Sequence, residues 1–209
     1  MIVFITFFLA WPSLSVYLDT KFSSNISSNI VNSSHAITYI LFYLVEPTNY
    51  NVLSKLTGSF YIYDSIRLLY IQINDKKWNK LPYLVHHSIA LVASYNIYND
   101  YLANETTYIY YILELSNIML YLSYHLHKTM SYHKNLILIT DFIQFVWYSY
   151  YRIIILYSYI FSQLDTLLSL SYPIMMCVYM ISLMGTYWSC LLFSKLFIKL
   201  KMVENSKEK

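Results

Sequence analysis

The fold is decided by the stretch at residues 172–200, YPIMMCVYMISLMGTYWSCLLFSKLFIKL, which carries no charged residue before Lys195. A helix needs about 20 apolar residues to cross the hydrocarbon core of a bilayer. Apolar and polar residues do not alternate strictly here, and a helix satisfies its backbone hydrogen bonds within lipid. The stretch therefore predicts a membrane-spanning helix.

Six further apolar stretches lie upstream, at residues 1–18, 33–46, 52–73, 81–98, 106–125 and 137–161. The chain is 57% hydrophobic and 12% charged, whereas a soluble domain carries roughly 25% charged residues. We predict an all-α integral membrane bundle of about seven transmembrane helices, or six if segment 33–46 does not span. The predicted divisions are an N-terminal helix and polar loop (1–32), a transmembrane domain (33–200) and a charged cytosolic tail (201–209).

The loops between these stretches predict the orientation of the chain. Basic residues follow the odd-numbered spans, at Lys21, Lys76, Lys77, Lys80, Lys128 and Lys134 and in the tail. Acidic residues follow the even-numbered spans, at Glu46, Asp100, Glu105 and Asp165. Basic residues in short loops mark the cytoplasmic side, so we expect a lumenal N-terminus and a cytosolic C-terminus. The net charge of +3 is too small to indicate nucleic-acid binding.

Ionisable and polar residues inside the predicted spans are the candidate functional residues. A charge at the centre of a span costs at least ~2.5–3.5 kcal/mol on insertion scales, so we expect these side chains to meet in a shared interior. The candidates are His35, Asp64, Arg67, His86, His87, Glu114, Ser116, Asn117, Asp141 and Arg152.

Several of these residues also have a purely structural interpretation. Asp64 and Arg67 are i, i+3 neighbours on a helix and can neutralise each other. Arg152 can pair with Glu114, and His35 can cap or snorkel at the membrane interface.

Two groups of histidines need separate interpretations. His86 and His87 are adjacent, so they diverge by about 100° around a helix and at most one faces a given centre. His125, His127 and His133 flank a basic loop without a cysteine or a fixed carboxylate partner in the sequence. We interpret them as a solvated interfacial loop and predict no metal site.

The order and spacing of several motifs resemble the TLC-domain family of membrane proteins, from about residue 30 onward. The resemblance rests on Asn32-Ser-Ser-His35, Gly58-Ser-Phe-Tyr-Ile-Tyr-Asp64, His86-His87, Glu114-Leu-Ser116-Asn117, Tyr151-Arg152 and Tyr187-Trp188. Ceramide synthases of this family continue from the histidine pair to a His-Asp-x-x-Asp element. Here Leu113, Glu114 and Asn117 occupy those three positions. The family also has a branch other than the ceramide synthases, which often has asparagine at the position of Gly185. The chain is more similar to that non-ceramide-synthase branch.

The resemblance implies a role in membrane lipid homeostasis, with ceramide or phospholipid acyl transfer as the candidate chemistry and the endoplasmic reticulum as the expected membrane. His86 or His87 would be the base, because the ordinary pKa of histidine lies near neutrality. Asp64 or Glu114 would orient that imidazole, and Arg152 would balance the buried carboxylate. No bound cofactor is expected; acyl-CoA would be a co-substrate that approaches near Lys76, Lys77 and Lys80.

Two alternatives to an enzyme are left open by the sequence. In the first, the same polar cluster holds a lipid headgroup and the protein binds or regulates lipids without catalysis. In the second, the chain is a structural partner in a membrane complex.

Overall fold

The computed structural model describes residues 2–75, 81–163, 165, 166 and 172–207, and this part of the chain is helical without strands. We number the helices in chain order. They are α1 (Ile2–Asp19), α2 (Ser24–Val45), α3 (Tyr50–Asp75), α4 (Leu81–Tyr98), α5 (Ala103–Thr129), α6 (Lys134–Ser149), α7 (Leu156–Ser162) and α8 (Tyr172–Lys207). A π-helical segment, Tyr150–Ile155, joins α6 to α7 without a break.

The all-helical prediction is confirmed for the described residues, and the predicted apolar stretches coincide closely with helices or a continuous helical run. Segment 33–46 belongs to a helix of 22 residues, because the polar residues before it continue the helix back to Ser24. The predicted division after residue 32 therefore falls inside α2. Likewise, α8 continues into the charged tail as far as Lys207.

One helix in the described part of the chain, Met175–Lys201, is long and apolar enough to cross a membrane by length and composition. A shorter apolar helix covers Val3–Asp19. A single such helix is weak evidence for membrane association, because buried core helices and signal sequences share these properties.

The chain forms two compact units, Met1–Glu114 (unit 1) and Leu115–Lys209 (unit 2), and their boundary falls within α5. In unit 1, α3 packs against α1, α2 and α4. Polar anchors accompany this packing: Trp11 Nε1 donates to Ser59 Oγ at 3.3 Å, and Tyr39 Oη donates to the carbonyl of Thr107 at 3.1 Å. These bonds tie α1 to α3 and α2 to the start of α5.

In unit 2, α8 packs against α6 and against the π-helical segment. That segment carries Arg152, which is buried. Gly185 of α8 lies beside it: a Cβ at Gly185 would lie 3.4 Å from both Cβ and Cδ of Arg152. The missing side chain therefore makes room for the arginine, which is a packing reason for glycine at this position.

Candidate functional site in unit 1

The first part of the site joins α3 to α4 through Asp64 and His87, both of which are buried. Asp64 Oδ1 accepts a hydrogen bond from Arg67 Nη1 at 2.8 Å, so the i, i+3 ion pair expected from the sequence is present. The other oxygen, Oδ2, lies 3.5 Å from His87 Nε2. Asp64 therefore contacts both groups, one through each carboxylate oxygen.

His87 is the histidine of the adjacent pair that faces this carboxylate. His86 is half-buried, and its ring lies against those of Tyr61 and His87, with centroid distances of 6.0 and 5.7 Å. The two side chains leave α4 in different directions, as the helical geometry of neighbouring residues requires. Of the two histidines, His87 is the one that lies beside Asp64.

The second part of the site joins α2 to α5 through His35 and Glu114. His35 Nδ1 lies 3.6 Å from Glu114 Oε1, and the two side chains are 1% and 2% exposed. The His35 ring stacks on Phe60 with a centroid distance of 3.9 Å and an interplanar angle of 8°. His35 does not cap a helix, because α2 begins at Ser24 and places His35 near its middle.

Tyr61 lies between the two histidine–carboxylate pairs. Its hydroxyl donates to Glu114 Oε1 at 3.1 Å. Its ring centroid is 5.7 Å from that of His35 and 5.0 Å from that of His87. Sequence reasoning missed Tyr61 as a site residue, although it lies one turn before Asp64 on the same face of α3.

The remaining candidates belong to unit 2. Arg152 donates from Nε to Ser116 Oγ at 2.8 Å and from Nη2 to Asn117 Oδ1 at 3.4 Å. Its guanidinium carbon lies 5.2 Å from the centroid of the Tyr148 ring. These contacts hold the buried arginine within its own unit. The proposed pairing of Arg152 with Glu114 stays a prediction.

Asp141 forms a separate ionic cluster in unit 2. Its Oδ1 accepts a hydrogen bond from Ser123 Oγ at 3.0 Å and lies 2.7 Å from His127 Nε2, while Oδ2 pairs with Lys199 Nζ. The expectation that no fixed carboxylate accompanies the loop histidines is therefore wrong for His127. Asp141 lies on α6 and His127 on α5. The two side chains meet because α5 and α6 are antiparallel, as the contacts of Trp147 with Leu115 and of Asp141 with Ser123 also indicate.

Two expectations from the sequence concern ligands, namely a metal ion and acyl-CoA. Within the residues described, no three histidine, cysteine or acidic side chains are grouped so that they could hold a metal ion. The lysines proposed to lie near acyl-CoA, at positions 76, 77 and 80, fall outside the described residues.

No protein-family model, curated protein or solved structure matches this chain. The site must therefore be interpreted from its own geometry.

That geometry suits proton transfer. An imidazole that a carboxylate holds in one orientation is the usual arrangement of a general base. The described part of unit 1 contains two histidine–carboxylate pairs, with separations of 3.5 and 3.6 Å, and Tyr61 lies between them.

Proposed function

We propose that this chain is an integral membrane protein of about seven spans that modifies a membrane lipid, with His87 as the proton acceptor. The observation that carries the proposal is the contact of His87 with Asp64 inside unit 1, where both side chains are buried. Ionisable residues inside membrane spans face the interior of the bundle and mark proton relays or substrate sites.

The surface of the helices supports a membrane setting for the whole bundle. Large apolar side chains are exposed on both units, among them Val45 at 77%, Ile73 at 70% and Phe161 at 68%. Monomeric soluble proteins rarely expose extensive apolar surface, whereas lipid solvates it. The loop charges favour a lumenal N-terminus and a cytosolic C-terminus, and the TLC resemblance favours the endoplasmic reticulum.

The chemistry we propose is acyl transfer to an amine or hydroxyl. His87 takes the proton of the nucleophile, and Asp64 holds the imidazole in the required orientation. Arg67, on the other oxygen of Asp64, fixes the position of that carboxylate through a charge-assisted hydrogen bond. Acyl-CoA is the acyl donor in this proposal, and a membrane lipid carries the acceptor group.

The test is lipid analysis of cells that express the wild-type chain or the His86→Ala and His87→Ala variants, alone and combined, at equal expression. We expect His87→Ala to abolish the lipid changes and His86→Ala to retain part of them. Extraction with alkaline carbonate checks that each variant remains integrated in the membrane. Lipid changes that survive in the double variant would exclude catalysis through these histidines.

One observation favours the non-catalytic alternative. His35 and Glu114 are enclosed among aromatic rings, which suits the stabilisation of a bundle better than contact with a substrate. If the alternative holds, a lipid co-purifies with the wild-type chain, and no acylated product forms when acyl-CoA and lipid acceptors are added.

A further inference from the structure

Ser65, which follows Asp64 on α3, has its hydroxyl directed at the candidate base. Ser65 Oγ lies 3.5 Å from His87 Nδ1. Among the described residues, His87 is the hydrogen-bond partner of the Ser65 hydroxyl. The side chain is half-buried, so it is more exposed than the buried histidine beside it.

This direction differs from that of several other serines in these helices. A helical serine commonly returns its hydroxyl to a carbonyl about one turn earlier. Ser59, Ser88 and Ser94 do so, with distances of 2.9–3.0 Å to the carbonyls of Leu56, Leu84 and Ala90. Ser65 instead has its hydroxyl available to the imidazole.

A single imidazole can serve both Ser65 and Asp64, although these neighbours diverge around α3, because its two nitrogens lie on different edges of the ring. With the proton on Nε2, His87 donates toward Asp64 Oδ2 and its Nδ1 is an acceptor for the hydroxyl of Ser65. Both separations are 3.5 Å. Catalytic hydrogen bonds are often this long without substrate and shorten when it binds.

We propose that Ser65 is a nucleophile, activated by His87 and oriented through Asp64, that attacks the carbonyl carbon of an acyl ester or thioester. The inference rests on the proposed function, and it adds a covalent intermediate and the class of acyl donor. A nucleophile, a base and a third group that orients the base form the arrangement that covalent acyl transfer requires.

The steps balance as follows. Ser65 Oγ bonds to the acyl carbon while its proton passes to His87 Nδ1. The bond from that carbon to the leaving oxygen or sulfur breaks, and the leaving group takes the proton from His87. The acceptor amine or hydroxyl then gives its proton to His87 and attacks the acyl-serine. Ser65 leaves with that proton, and the acyl group has moved to the acceptor.

The experiment is covalent labelling of the purified full-length chain in detergent with an alkyl fluorophosphonate, which reacts with activated serines and releases fluoride. Peptide mapping by mass spectrometry should place the label on Ser65 in the wild type. Ser65→Ala should lose it, while the matched helical serine variant Ser88→Ala should keep it. His87→Ala should slow labelling by roughly a hundredfold or more, the usual contribution of a general base.

Failure to label Ser65 in the folded wild type, or an equal rate in His87→Ala, would overturn the inference. The thermal unfolding midpoint of each variant shows that it is folded before it is labelled. Lipid changes that need His87 but persist in Ser65→Ala would remove the serine and leave the proposed function standing. Labelling of Ser65 that needs His87, in a chain that changes no lipid, would remove the proposed lipid substrate and leave the nucleophile standing.

Discussion

The two units carry histidine–carboxylate pairs of similar chemistry in opposite surroundings. In unit 1, His35 and Glu114 are 1% and 2% exposed. In unit 2, His127 is 36% exposed, and Asp141, its partner, is also shared with Lys199. A pair enclosed in protein depends strongly on each partner, because removal of one leaves the other buried and unsatisfied. In a partly exposed pair, water can replace a lost partner, so the removal of one side chain lowers the free energy of unfolding only a little.

The difference in burial makes the pairs in unit 1 the stronger candidates for a functional site. The pair in unit 2 connects the last turn of α5 to the middle of α6 and is partly exposed. The pairs in unit 1 are buried, and buried ionisable groups held beside a charge partner are candidates for a functional site. Substitutions of histidines and glycines in the two units test this contrast.

The largest effect is expected for His35→Ala in unit 1. The change removes the ring that stacks on Phe60, opens a cavity and takes away a partner of Glu114. We expect the free energy of unfolding to fall by about 3–5 kcal/mol. Unfolding of the purified protein in mixed micelles by sodium dodecyl sulfate measures this. The exposed His133→Ala variant is the control, and equal losses for the two histidines would contradict the enclosed pair.

Substitutions of the two glycines should have intermediate effects on the free energy of unfolding. Gly185→Leu in unit 2 should destabilise the protein, whereas Gly58→Ala in unit 1 should stabilise it. Gly185→Leu in α8 would press on Arg152 and should cost about 1–3 kcal/mol. At Gly58 in α3, a Cβ would meet Ser94 Cβ at an ordinary 3.7 Å. Gly58→Ala should therefore gain up to about 0.5–1 kcal/mol from reduced backbone freedom in the unfolded chain.

The same unfolding assay measures both glycine variants. Gly185→Ala is the matched variant for Gly58→Ala and should gain less, because its Cβ lies closer to its neighbour. A stabilisation of equal size at the two positions would show that Gly185 has no packing role beside Arg152.

The smallest effect is expected for His127→Ala in unit 2. The side chain is about one-third exposed, so its contact with Asp141 should contribute about 0.2–1 kcal/mol. The loss should shrink further when salt is added, because salt screens exposed charges. Unfolding at low and high salt measures it. A salt-independent loss as large as that of His35→Ala would remove the contrast between the units.

Part of the site was predictable from the sequence, because an ionisable side chain within an apolar segment carries a free-energy cost and therefore stands out. Asp64, His87 and Glu114 are conspicuous for that reason, and the ion pair of Asp64 with Arg67 follows from the period of one helix. The choice of His87 over His86 was not predictable. Adjacent residues diverge on any helix, and the packing partner of α4 decides which of them is buried.

Other members of the site could not have been found from the chain alone. Ser65 has the same local sequence context as any helical serine, and only the position of His87 on another helix distinguishes it. Tyr61 is one of 25 tyrosines. The central place of His35 in its helix is also hidden in the sequence, because the residues before it are polar although they continue α2 back to Ser24.

What the sequence by itself determined is the helical character of the chain and the short set of polar residues inside its apolar stretches, since both follow from local composition and periodicity. Only the tertiary structure decided the partners, namely His87 with Asp64 and Ser65, and His35 with Glu114. The physical reason is that helical periodicity relates residues three or four positions apart. A contact between helices depends instead on how their side chains pack, and that information is spread over many residues of the chain.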